Sequence, residues 1–319
     1  MANLQDRRRV LGPSDTQQLR FVTPKSDLKA SLTSTEITNK KDSATIRPIF
    51  IRTSPVANAS GSAFIEISAD PSDVIQVQVS VHGPRPIRGS FIETGLFSVE
   101  AKLSAFSVDN HNPDISQNRN NSGASASGGS AASRPNGTSP LERTVAAFVE
   151  SSLTPAVRLE QYPKSGIDVF VTILRPGSNP KALQAACVNA ATVALVDAGI
   201  SLRDLVTCGA AILTRSESDE NKVESIVVDP SVPTVSGRQL DMAVSYMTAH
   251  NSEIVGMAVD GGVLSPQILE TCLSVTLKAA KDARALINGV LLGEFKYKEQ
   301  VISQAFSNLL NADSMDIDQ

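Results

Sequence analysis

The amino-acid sequence predicts an α+β fold, with mixed sheets packed against helices in one domain. Apolar and polar residues alternate in several short runs, which is typical of half-buried strands. Between them lie longer runs in which apolar residues recur every three or four positions, as they do in amphipathic helices. Strands and helices are followed by a second group of strands and another helix. This order favours helices that cover one side of the sheets.

The first part of the chain contains four predicted strands. Alternation marks the segments IRPIFI (46–51), SAFIEIS (62–68), VIQVQVSV (74–81) and FSVEAKLSAFSV (97–108). In the last segment the alternation changes phase after Leu103, toward Phe106 and Val108. We therefore expect an antiparallel meander whose last strand contains a bulge.

Two helices and one strand are predicted in the middle of the chain. Ser139 is a candidate N-cap, a proline follows it at the first helical position, and the apolar spacing predicts a helix over 140–154. The strand IDVFVTIL (167–174) comes next. Asn179 repeats the cap-then-proline pattern and begins a second helix that ends at Gly199. The many alanines of this helix indicate close packing against a sheet.

A second antiparallel group of strands is predicted at LVTCGAAILT (205–214), KVESIVV (222–228), DMAVSYMTA (241–249) and EIVGMAVDG (253–261). In this prediction Asp241 opens its strand. Pro266 begins a final long helix with a stripe of small residues.

Polar stretches divide the chain. Residues 1–45 are rich in Ser, Thr and Lys and include the basic run Arg7–Arg9, so a flexible arm is expected. Residues 110–139 consist mainly of Asn, Ser, Gly, Ala and Pro, which predicts a long disordered insertion. The folded domain is expected over 46–300, interrupted by that insertion, and residues 301–319 form a C-terminal segment with an acidic tail.

Composition excludes several functions. No apolar run approaches the roughly 18 residues of a membrane span, and the first residues lack a signal core, so we expect an intracellular protein without membrane contact. With 29 Lys and Arg against 33 Asp and Glu, a broad basic face for autonomous RNA binding is not favoured. The histidines and cysteines show no metal-ligand spacing, so neither zinc nor any cofactor is predicted, and the cysteines are expected in the core: Cys187, Cys208 and Cys272.

Six phrases together resemble the RNase PH superfamily of phosphate-dependent 3′-to-5′ exoribonucleases and exosome ring subunits. They are RPIFI (47–51), GSAFIEI (61–67), VSVHGPR (79–85), YPKSGIDVFV (162–171), NAATVALVDAGI (189–200) and VVDP (227–230). Their order and spacing carry the resemblance, which extends from Arg47 to Leu292 apart from the insertion. It implies the RNase PH fold, which is like that of ribosomal protein S5 domain 2. The phrases PAVRLEQYP (155–163) and DAGISLRDLV (197–206) are most similar to a eukaryotic exosome ring subunit.

The resemblance implies a phosphate-binding loop before the second helix, of the form D-G-G-T-R in active members. Here the loop is PGSNP (176–180). Asn179 stands in place of the threonine and Pro180 in place of the arginine, while Gly177 is kept. The guanidinium that would bind phosphate with two donors is thus lost, and one backbone N–H is lost with it.

The resemblance also implies a pair of catalytic carboxylates. Asp229 keeps the acid that opens the segment, Thr234 and Val235 replace a Glu-Asp pair, and Asp241 keeps the later aspartate. One catalytic acid is therefore replaced by valine, and Asp241 is a remnant. Two other interpretations of Asp241 stay open: a turn cap or ion pair with Arg238, and a contribution to the site of a neighbouring subunit.

Arg85 and Arg88 are the candidate RNA-binding residues. They are predicted in a loop after a strand that lies near the channel in this family, and arginine suits phosphate contact. The alternative is a surface loop with solvated arginines. No aromatic residue lies between them, so base stacking is not predicted.

These observations favour a non-catalytic structural subunit of the RNA exosome core ring. The resemblance implies heterodimer and ring neighbours of the RNase PH type, RNA-binding cap subunits and single-stranded RNA in a central channel. It also implies a location in the nucleus, the nucleolus and the cytoplasm. The alternatives are an active phosphate-dependent exoribonuclease and an independent RNA-binding module.

Overall fold

A computed structural model describes residues 45–70, 73–89, 92–107, 139–214, 225–230, 238–249, 251–261 and 266–315. These residues all belong to one compact unit. The predicted arm before Thr45 and the predicted insertion before Ser139 lie outside the described residues, as does the basic run Arg7–Arg9.

The first sheet has five strands in the order β1-β2-β3-β5-β4. Their bounds are β1 Ile49–Thr53, β2 Gly61–Asp70, β3 Asp73–Pro86, β4 Leu96–Leu103 and β5 Ser165–Pro176. β4 pairs parallel with β5, and the other pairs are antiparallel. The predicted four-stranded meander is therefore wrong. A parallel pair needs a long crossover, and the segment between β4 and β5 supplies it with a helix.

The predicted bulge in the fourth strand is also wrong. β4 ends at Leu103, and Ala105–Ser107 form a 3₁₀ turn closed by the bond from the Ser107 N–H to the Ser104 carbonyl, 2.9 Å. The change of phase in the sequence thus marks the end of the strand. Val108 lies outside the described residues.

The second sheet has four antiparallel strands in the order β7-β6-β8-β9, as predicted. Their bounds are β6 Val206–Thr214, β7 Ser225–Val228, β8 Arg238–Met247 and β9 Glu253–Gly261. β8 begins three residues before the predicted start at Asp241, so this aspartate lies inside the strand.

Three α-helices occur in the described part of the chain: α1 Pro140–Leu153, α2 Pro180–Asp197 and α3 Pro266–Met315. The two predicted N-caps are confirmed. Ser139 and Glu142 form a capping box, and the Asn179 side chain accepts from the first N–H groups of α2. α3 continues to Met315, into the segment that the sequence sets apart as the C-terminal tail.

α2 lies between the two sheets and contacts β2 and β3 on one side and β6 and β8 on the other. This position explains its small residues and its burial on every face. At its C-terminal end, a Cβ atom on Gly61 would lie 2.1 Å from the Ala198 nitrogen, so glycine is required there. Asn189 fixes the helix to β6, because its side chain exchanges two hydrogen bonds with the backbone of Cys208, at 2.9 and 3.2 Å.

The second sheet is covered on both faces, whereas the sequence predicts helices on one side only. Cys208 and Ala210 of β6 belong to the core around α2, and Ala211 and Leu213 belong to a separate cluster that includes residues of α3. Gly209 faces α3 closely, since a Cβ atom there would lie 2.5 Å from the carbonyl oxygen of Thr276. β6 is therefore buried throughout.

The predicted burial of the cysteines is confirmed for all three of them, and burial raises the pKa of the Cys187 and Cys208 thiols. α3 is anchored by Arg284, which donates to both carboxylate oxygens of Asp204 at 2.6 and 3.0 Å. Burial alone would raise the pKa of Asp204, but hydrogen bonds from Arg284 and from two backbone N–H groups bring it below its ordinary value. None of the helices described is both long and apolar enough to cross a membrane.

Candidate functional site

The loop that connects β5 to α2 is the predicted phosphate-binding loop. Gly177 has a positive φ of 64°, which lets the chain turn sharply into the helix. Asn179 is the N-cap, and its Oδ1 accepts from the Lys181 N–H at 2.7 Å and the Ala182 N–H at 3.4 Å. Pro180 is the first helical residue and has no N–H. The donors at this helix terminus therefore bond within the protein.

Another backbone donor, in the loop itself, bonds to Asp73, the first residue of β3. The Ser178 N–H donates to Asp73 Oδ1 at 2.7 Å. There is little space between the loop and the strand, because a Cβ atom on Gly177 would lie 2.5 Å from Ile75 Cγ1 and 3.2 Å from Asp73 Oδ1. The Asp73 side chain is only 2% exposed, so its carboxylate is buried against the loop.

The Arg47 guanidinium donates hydrogen bonds to both Asp73 and Asp229. The Arg47 guanidinium donates from Nη1 to Asp73 Oδ2 at 2.9 Å, and from Nε and Nη2 to the two oxygens of Asp229 at 2.9 and 2.7 Å. The Arg47 backbone N–H also donates to Asp229, at 3.0 Å. Burial alone would lower the pKa of Arg47, but the bonds and charges of the two carboxylates raise it. This is a buried charge cluster in which one guanidinium is bonded to two carboxylates.

Asp229, which the resemblance places at the start of the catalytic segment, lies in a bend at the end of a strand. It follows β7, its φ is 46°, and its N–H bonds to the Ala210 carbonyl at 2.9 Å. Its carboxylate accepts from the buried Arg47. The structure brings together Arg47, Asp73 and Asp229 from positions far apart in sequence.

Asp241 is half-buried in β8, where it lies opposite Ile212 of β6 and Asp260 of β9. Two carboxylates facing each other across strands repel, so a cation nearby is favourable. Lys181 supplies it: this buried residue in the first turn of α2 reaches Asp260 with an Nζ to Oδ2 distance of 2.8 Å. Val235 and the Arg238 side chain lie outside the part of the chain that is described.

Arg85 and Arg88 both lie on the surface, at one end of the first sheet. Arg85 is opposite Gly166 within β3, which extends to Pro86, so its predicted position in the loop is wrong. Arg88 does lie in the loop. The Ile87 N–H between them donates to the Lys164 carbonyl at 3.0 Å, which holds the loop against the start of β5.

Sequence reasoning did not identify Arg47, Asp73 or Lys181 as parts of this region. Each was visible only as a charged residue at the edge of an apolar segment, which is also where solvated residues occur. Among the residues described, no group of three or more His, Cys, Asp or Glu side chains has the geometry of a metal site.

The fold of the chain is that of the RNase PH family. Residues 45–201 match the model of the 3′ exoribonuclease family, domain 1. Two solved structures share the fold. Rice Rrp46 has a TM-score of 0.55 and 17% identity over 79% of this chain and 98% of its own. An Archaeoglobus fulgidus exosome with RNA bound to the active site has a TM-score of 0.56 and 18% identity, over 81% and 95%.

Two curated relatives that the chain resembles are exosome complex components. The exosome complex component mtr3 of Schizosaccharomyces pombe is 26% identical over 292 residues, which are 91% of this chain and 97% of the relative. The exosome complex component Rrp41 of Nitrosopumilus maritimus is 29% identical over 239 residues, 74% of this chain and 81% of the relative. The similarity therefore includes both sheets and the connecting helices.

Proposed function

We propose that the chain is a non-catalytic structural subunit of the RNA exosome core ring, where it helps to form the channel that threads RNA for 3′-to-5′ processing and degradation. Two curated relatives that match most of the chain are exosome complex components, which supports a place in such an assembly. Its neighbours would be other RNase PH-like ring subunits and RNA-binding cap subunits. As an exosome component it would act in the nucleus, the nucleolus and the cytoplasm.

The observation that carries the non-catalytic assignment is the state of the donors in the loop before α2. The Ser178 N–H bonds to Asp73, the first N–H groups of the helix bond to Asn179, and Pro180 has no N–H. Phosphorolysis needs donors that are aimed at an external phosphate and remain available for it. Here the protein itself uses them.

The acids support the same conclusion. Asp241 lies beside Asp260, whose carboxylate is bonded to Lys181, and we propose that Val235 replaces the partner acid. Because the Asp260 carboxylate is bonded to Lys181, the Asp241–Asp260 pair does not provide the ligand set of a divalent metal. We infer that this region of the fold now stabilises the contact between α2 and the second sheet.

Arg85 and Arg88 are proposed as the contacts to RNA in the channel. Both are exposed, and the bond between Ile87 and Lys164 keeps them at one end of the sheet. Such contacts would bind the phosphate backbone without preference for base sequence and would weaken with salt.

Phosphorolysis provides the test. The purified chain is incubated with single-stranded RNA, magnesium and inorganic phosphate, and nucleoside diphosphates are measured, with an active phosphorolytic enzyme as the positive control. No release above background is expected. Release at a rate comparable with the control would contradict the proposal. The double variant P180R/V235D should also stay inactive, because Asp73 and Asn179 still occupy the loop donors.

A further inference from the structure

The Asp73 carboxylate is bound as a ligand anion would be. One oxygen accepts from a guanidinium nitrogen of Arg47 at 2.9 Å, and the other accepts from the Ser178 N–H at 2.7 Å. A guanidinium and a loop N–H at a helix N-terminus are the donors that proteins use to bind free oxyanions. In this chain the bound anion is covalently part of β3.

The surroundings fit a small anion and exclude a larger one. Gly177 brings the loop backbone so close to β3 that a Cβ atom would collide with Ile75. The Arg47 and Asp73 side chains are 1% and 2% exposed, so solvent does not compete for the bonds. Next in the loop, Nδ2 of the buried Asn179 has no hydrogen-bond partner among the residues described.

We propose that Asp73 is a built-in anion: its carboxylate fills an oxyanion site formed by the Arg47 guanidinium and the Ser178 N–H. Removing the side chain should open this site to a free anion of carboxylate size. This inference rests on the non-catalytic function proposed above and deepens it. A filled anion site explains why the loop is closed to external phosphate.

Anion rescue tests this directly. Thermal unfolding of the full chain is followed for D73A, D73N and the unaltered protein in a series of formate concentrations, with chloride at matched ionic strength as the reference. D73A leaves room for formate, so its Tm should rise with the logarithm of formate concentration. D73N is the matched control: its amide removes the charge but still fills the space, so its Tm should not respond beyond the chloride reference.

An equal response to formate in D73A and D73N, or in D73A and the unaltered chain, would overturn the proposal. If D73A does not fold, hydrogen exchange of the Ser178 amide in the unaltered chain tests the proposal instead. Protection comparable with that of the strand amides is expected, and exchange at the rate of an open loop would overturn the proposal. The phosphorolysis assay of the unaltered chain needs neither an Asp73 variant nor formate, so failure of the proposed function is detected separately.

Discussion

The substitution R47M tests whether the buried charge cluster organises the region around the loop. It removes three side-chain hydrogen bonds, two to Asp229 and one to Asp73, and leaves both carboxylates without their cation. Asp73 keeps its bond to Ser178, and the Arg47 backbone N–H still donates to Asp229. Removing one partner of a buried ion pair typically costs about 3–5 kcal/mol, because the other charge remains buried.

We therefore expect R47M to lower the free energy of unfolding by about 3–5 kcal/mol, less than the sum of three separate charged bonds. At this chain length the Tm should fall by roughly 6–20 °C. R47K keeps the charge but not the planar fork, so its loss should be smaller.

Urea unfolding followed by circular dichroism measures these differences. The matched control is R52M, which removes an exposed arginine from β1, the strand that follows Arg47, and should change stability by less than about 0.5 kcal/mol. If R47M destabilised the chain by no more than R52M, the charge cluster would not be a determinant of the fold, and the account of the loop would lose its support.

Three further predictions concern other parts of the molecule. The lowered pKa of Asp204 means that its ionised form stabilises the fold above the unfolded pKa of about 4. This contribution disappears as the pH falls through the folded value, so D204N should destabilise the chain at about pH 7 and have a shrinking effect below about pH 4, measured by urea unfolding. G209A should cost about 1–3 kcal/mol, because its Cβ would press on α3, whereas G289A in open space should cost nothing. R85E/R88E in the assembled complex should weaken RNA binding. The slope of log affinity against log salt concentration should fall by roughly 1.4, since each phosphate contact contributes about 0.7. Unchanged anisotropy titrations would show that both arginines are only solvated.

The sequence predicts the local elements of this fold well, for physical reasons. Strands with one buried face alternate with period two, as in β3. The N-caps at Ser139 and Asn179 depend on neighbouring residues only, so they can be recognised from a few letters. The small residues of α2 reflect its close packing, although not the fact that a sheet lies on each side.

Pairings between distant segments could not be predicted in the same way. Nothing in the pattern of β4 distinguishes an antiparallel neighbour from the parallel pairing that it makes with β5. The cluster of Arg47, Asp73 and Asp229 joins residues up to 182 positions apart, and a charged side chain at a strand end is usually solvated. The proposed loss of phosphate binding could be inferred from Pro180, but the bond between the Ser178 N–H and Asp73 required the structure.

We propose that this chain is one non-catalytic member of a ring of related subunits. Native mass spectrometry of the endogenous protein, purified gently through a C-terminal tag, tests it most directly. The chain is expected once per complex, beside several different RNase PH-like chains. A complex made only of identical copies would contradict it, and Asp241 would then be the first residue to substitute in a search for activity.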